Sequence, residues 1–116
     1  LVRNFSVRQL IGSLTILDTD KIMNHIEDCL KQYEVTDGKA LSNSTKINLF
    51  IHVGCLAERL IRRSPIEDYP DIDAFEAERT EEIAKIRSAF SGIENTYSVK
   101  IPLSEIGYIY DIINGI

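Results

Sequence analysis

The chain has 116 residues, 44% hydrophobic and 27% charged, with a formal net charge of −5 and a pI near 5.0. That length and apolar content suit one domain around one core. The acidic balance offers no electrostatic footprint for nucleic acid, and no apolar run approaches the roughly 20 residues that span a bilayer.

The chain starts Leu1-Val2-Arg3-Asn4, without an initiator methionine or a signal-peptide pattern, and reads as a domain of a larger cytoplasmic protein. Residues 1–18 form a lead-in segment packed on the core, with a short helix near Ser6 to Ser13. Residues 19–116 form the helical domain. Asp18-Thr19-Asp20 puts acids where a helix N-terminus favours them. Ile22, Met23, Ile26, Cys29, Leu30 and Tyr33 then recur at three and four residues, which predicts an amphipathic helix to about Tyr33, broken by Thr36-Asp37-Gly38-Lys39.

Ser42-Asn43-Ser44 supplies N-cap candidates for a second helix running to about Arg63, where Ser64-Pro65 ends it. Asp73 is a candidate cap for a third helix ending near Gly92. Phe75, Ile83, Ile86 and Phe90 form its buried stripe, while Glu76, Glu78, Glu81, Glu82, Lys85 and Arg87 form its solvated side. Asn95 to Pro102 is a connector in which Tyr97, Val99 and Ile101 alternate. A last helix opens at Ser104-Glu105, carries Ile106, Tyr108, Ile109, Ile112 and Ile113, and stops at Asn114-Gly115. The fold class is all-α, a compact bundle of four or five helices. No internal repeat is apparent. Cys29 and Cys55 lie in helical apolar patterns and read as small buried hydrophobes of a reducing compartment, not as a disulfide.

The second helix carries the candidate site. His52 sits on a mostly apolar helix, and at about 100° per residue Thr45, Asn48, Arg59 and Arg63 fall within about 40° of it. Ile47, Leu49, Phe50, Ile51, Val53, Ala57, Leu60 and Ile61 cover the other side. The imidazole therefore reads as lying in a polar furrow, with Arg59 about 10 Å further along the axis at 1.5 Å per residue. A neutral imidazole is a nucleophile near pH 7, since its reference pKa is about 6.5. An added phosphoryl group would bring charge that Arg59 could attract. This requires a side chain that a donor can reach. Glu58-Arg59 can also be read as an internal ion pair, and Arg62 and Arg63 as partners of the helix C-terminal dipole. His25 reads as structural or surface. Tyr108 and Tyr110 fit either a core or a dimer face. There is no Gly-rich phosphate loop, no His/Cys set at zinc spacing and no Glu-x-x-His pair, so neither metal nor cofactor is implied. A catalytic pairing of Cys55 with His52 lacks an orienting third residue.

His52 followed by Ala57-Glu58-Arg59, and then Ser98-Val99-Lys100-Ile101-Pro102 leading to Glu105-Ile106-Gly107-Tyr108-Ile109, resembles the two motifs of the PTS regulation domain, or PRD. That family is a helical module of bacterial transcriptional regulators governed by the sugar phosphotransferase system. The likeness covers residues from about 42 to 113, and the helix near 19–33 fits the family's first helix. The pattern is most similar to the C-terminal PRD of levanase-operon-type sigma-54-dependent activators. The resemblance implies a non-enzymatic homodimer, phosphorylated at His52 by HPr or enzyme IIB. Asn48, Glu58 and Arg59 support that residue, and control falls on sugar-utilisation genes. The last PRD of those activators implies a negative, enzyme IIB-dependent input. The chain departs from the family where a second histidine is usual, seven residues after Glu105. Ile112 stands there, next to Asp111, which implies a domain with His52 as its one acceptor. A helical oligomerisation or docking bundle without phosphorylation, and a helical phosphotransferase passing the group onward, are the competing readings.

Overall fold

The structure, a computed structural model, describes residues 18–116, so residues 1–17 of the lead-in segment, with the short helix expected near Ser6 to Ser13, lie outside the described residues. All the regular structure among the described residues is helical.

Helix α1 is Thr19–Asp37. Asp18 caps it by accepting the Lys21 N–H at 3.0 Å, and the buried face is the three–four stripe seen in the sequence. It runs four residues beyond Tyr33, because Gly38 at φ +80° supplies the left-handed cap and donates its N–H to the Glu34 carbonyl. Helix α2, Asn43–Ile61, is capped by Ser42, whose hydroxyl accepts the Thr45 N–H at 3.2 Å. It buries Leu49, Phe50, Val53, Leu56, Ala57 and Leu60 against the core.

The third helix is broken twice, so the described residues form six helices. Helix α3 is Ile72–Glu78, α4 is Thr80–Ala89 and α5 is Ser91–Tyr97. The backbone leaves helical geometry at Arg79 (φ −119°) and at Phe90 (φ −98°, ψ 7°), and Gly92, the expected stop, lies inside α5. The breaks re-aim one stripe of apolar residues. Phe75 turns towards the last helix, Ile83 and Ile86 enter the central core, and Ile93 is buried where α5 packs on α1 and α2. Asp71, at φ 53° and without a side-chain cap bond, precedes α3 in place of the expected Asp73. The last helix, α6, is Leu103–Asn114 and stops at Gly115 (φ 70°). Helix α4 packs on both α1 and α6, α2 packs on α1 and α6, and α3 lies along α6. Phe50, Phe90, Ile22, Met23, Leu56 and Ile106 fill the centre.

Two expected surface cations are tied down. Lys85 reaches Asp37 at 3.1 Å, and Arg87 donates to the Ile101 carbonyl at 3.0 Å. Two connectors also share a device that the sequence did not declare. At the end of α1, the Glu34 carboxylate accepts the Leu41 N–H at 2.7 Å; at the end of α5, Glu94 accepts the Ile101 N–H at 2.8 Å. Each glutamate stands four residues before a left-handed cap, Gly38 in one case and Ser98 (φ 53°) in the other. The carboxylate then pins the chain as it leaves the helix.

Candidate functional site

Helix α2 presents His52 towards the start of α6, and the carboxylate it meets is Glu105. That side chain is wholly buried, so its charge needs close partners. Arg59 supplies two of them, donating Nε–H to Oε2 at 3.2 Å and an Nη2 hydrogen to Oε1 at 2.9 Å. This is the planar two-point match that a guanidinium makes with a carboxylate. The Ile66 N–H supplies the third, reaching Oε2 at 2.9 Å. Glu105 lies in the first turn of α6, where the helix dipole also favours an anion. His52 Nε2 stands 3.8 Å from Oε1, too far for a good hydrogen bond. That nitrogen is buried and has no hydrogen-bond partner, while the whole side chain keeps 22% exposure on its remaining atoms.

The polar furrow expected from the helical wheel is therefore roofed. Leu56, one turn from His52, is fully buried, Glu105 of α6 faces the buried Nε2, and Ile66 in turn holds that carboxylate. Burial holds the His52 pKa below its ordinary value of 6.5; the Arg59 charge adds to this, and Glu105 pulls the other way. The ring is neutral at pH 7 and keeps a lone pair for nucleophilic attack.

Arg59, Glu58 and Asn48 each stand in a different relation to His52. Arg59 does approach the histidine, but through a carboxylate on another helix. Glu58 pairs with Arg62 one turn on, at 3.5 Å, while the Arg59 guanidinium is held by Glu105. Asn48 is exposed and makes no hydrogen bond to His52. Arg62 is the C-cap residue of α2, and Arg63 adopts φ 59° beyond it. Cys55 is half-buried and Cys29 buried, and both thiols are free. His25 stacks edge-on to Tyr97 at 6.0 Å. Ile112 is half-buried against the core, and the Asp111 carboxylate accepts the Tyr69 hydroxyl at 2.7 Å.

Glu105 is the residue that sequence reasoning missed as part of the site. An acid in the first turn of a helix reads as a dipole partner exposed to water. The available signal was its setting next to the apolar Ile106, on a helix whose buried face beyond the first turn is isoleucine and glycine. Ser104 is buried too, and its hydroxyl donates to the Ile66 carbonyl at 2.6 Å.

Residues 21–116 match the family model described as the PRD domain. A curated relative, the transcriptional regulatory protein DagR of Salmonella typhimurium (strain 14028s / SGSC 2262), is 27% identical over 115 residues. That match takes in 93% of this chain and 12% of DagR, so the chain spans about an eighth of that relative. No solved structure gives a significant match. With the buried glutamate, the roofed histidine and the all-helical core in place, and the family model covering most of its length, the chain belongs to the PRD domain family, regulatory rather than catalytic modules of transcriptional regulators.

Proposed function

We propose that His52 is the phosphoryl acceptor of a domain that reports the state of the sugar phosphotransferase system to a cytoplasmic transcriptional regulator of sugar-utilisation genes. The donor is a phosphohistidine or phosphocysteine protein of that system, HPr or enzyme IIB, and the domain acts as a homodimer. The levanase-operon type of sigma-54-dependent activator is the parent that the motif run Glu105-Ile106-Gly107-Tyr108-Ile109 favours.

The observation that carries this reading is a neutral, partly exposed imidazole whose neighbouring carboxylate already holds a guanidinium. With a phosphohistidine donor, the ring lone pair attacks phosphorus as the donor's P–N bond breaks. The phosphoryl group moves one way and one proton the other, so both rings end neutral. The donor protein supplies alignment and charge neutralisation. Incubation with phosphoenolpyruvate, enzyme I, HPr and enzyme IIB, followed by mapping of acid-labile phosphate, is the test. Label at His52 that disappears in His52→Ala supports the reading, and an unlabelled His52 removes it.

One observation favours the second reading, a docking bundle without phosphorylation. Nε2 is sealed beneath Glu105. In that case the same incubation leaves His52 unmodified, while the chain still self-associates.

A further inference from the structure

Residues 62–71 run from the end of α2 to the start of α3 as a strap along α6, and polar groups fasten them at successive turns. The Ile66 N–H is held by Glu105 and its carbonyl by the Ser104 hydroxyl. The Tyr108 hydroxyl donates to the Asp68 carbonyl at 2.8 Å, and the Tyr69 hydroxyl donates to Asp111 at 2.7 Å. Tyr69 lays its ring directly over Gly107, where a β-carbon would come within 2.6 Å of it.

The first fastening shares its carboxylate with Arg59, and that carboxylate faces His52 Nε2 at 3.8 Å. The nitrogen is sealed and unsatisfied, so a phosphoryl group on it would have to enter the space between the imidazole and Oε1. Such a group carries close to two negative charges and strong acceptor oxygens. One guanidinium would then stand between two anions where water is scarce. The phosphoryl group offers it more charge and the same two-point geometry.

We propose that Arg59 is a shared counter-ion. When His52 carries a phosphoryl group on Nε2, Arg59 leaves Glu105 for it, and Glu105, now a buried carboxylate without its cation, swings out to water and releases the Ile66 end of the strap from α6. This rests on His52 being the acceptor. The strap is then the element that converts a new anion on α2 into a changed surface on α6. A buried carboxylate stripped of its partner is strongly disfavoured, which makes the exchange a switch between two arrangements and not a graded shift.

The test uses the full chain and potassium phosphoramidate, a small donor that needs no protein. Phosphorylation is located by mass spectrometry, the modified ring nitrogen by 31P and 15N NMR, and strap release by amide hydrogen exchange at Ile66. The expected result is Nε2-phosphorylated His52 with Ile66 exchange at least ten-fold faster, and with the amides of Ile26 and Cys29 in α1 unchanged. Arg59→Gln without phosphate should show the same acceleration, since loss of the cation is the decisive step; circular dichroism confirms that this variant stays folded. Modified His52 with an unchanged Ile66 amide overturns the proposal while leaving the acceptor reading intact. So does phosphate on Nδ1, or an Arg59→Gln chain whose Ile66 stays protected. Phosphate on His25 with His52 untouched overturns the acceptor reading and the proposal with it.

Discussion

Gly107→Ala isolates the contact between the strap and α6 without touching His52 or its charges. An ideal β-carbon at Gly107 falls 2.6 Å from Cδ1 and Cε1 of Tyr69 and 2.8 Å from Cγ. Ordinary carbon–carbon contact is about 3.5–4.0 Å, so the ring has to retreat by about 1 Å. It is poorly placed to do so. Its hydroxyl is bonded to Asp111, Phe75 packs against it at 5.0 Å between centroids, and Tyr108 meets it edge-on at 5.1 Å. Overpacking of this kind costs about 1–3 kcal/mol. Alanine is better than glycine within a helix by about 1 kcal/mol, so the net expectation is a loss of up to about 2 kcal/mol. Gly92 is the internal control. It is exposed in α5, and a β-carbon there meets nothing within 4 Å. Gly92→Ala should therefore gain a few tenths to about 1 kcal/mol. Urea denaturation followed by circular dichroism, compared at a common slope, resolves both changes. In a Tyr69→Ala background the Gly107→Ala loss should vanish or become a gain, a coupling of about 1–3 kcal/mol. The reasoning is refuted if the two glycine replacements shift stability in the same direction by similar amounts. A Gly107→Ala loss that survives the removal of Tyr69 refutes it equally.

Three further outcomes follow from the geometry. His52 takes up a proton less readily in the fold than in the unfolded chain, so its stabilising contribution is complete above pH 6.5 and declines as pH falls from 6.5 through its lower native pKa; thermal melts of the wild type should lose stability across that window relative to His52→Gln. Ser98 occupies the left-handed region at φ 53°, and Ser98→Gly should raise stability by about 0.5–1 kcal/mol in the same urea assay. Burial pushes the Cys29 thiol up to about 11, with Asp28 adding and a bond with the Ile93 backbone opposing. Iodoacetamide at pH 8 should label half-buried Cys55 in the native chain and Cys29 only at the rate of unfolding, read by intact mass; rapid labelling of both would contradict the burial.

What the sequence disclosed was whatever depends on period and punctuation. The stripe from Ile22 to Tyr33, the Ser42 cap and the Asn114-Gly115 stop are local in origin and appear where they were expected. The break at Arg79 was invisible because no proline or glycine marks it, and near Gly92, where a stop was expected, the chain breaks at Phe90 and then re-enters a helix. There the chain yields to packing, which needs Phe75 against Tyr69 and Tyr110 while Ile83 and Ile86 face the centre. Lys85 and Arg87 were read as solvated because charge usually is. Their partners, Asp37 and the Ile101 carbonyl, are 48 and 14 residues away, so no local pattern contains them. The same distance hid the site. The helical wheel brought Arg59 onto the face of His52, but the group joining them lies 46 residues downstream of Arg59.

Stability alone does not account for that group. A buried ion pair is often matched or bettered by hydrocarbon of the same volume, and a leucine at position 105 would suit an apolar helix face well. Leucine would leave the Ile66 N–H and the Arg59 guanidinium without the acceptor that now satisfies both. The glutamate thus does what hydrocarbon cannot: a single side chain joins α2, α6 and the strap, and it does so by charge. Packed hydrocarbon would hold the same three elements together and be indifferent to an anion arriving nearby. A join made of one shared charge is sensitive to the next one, and the histidine stands on its free side.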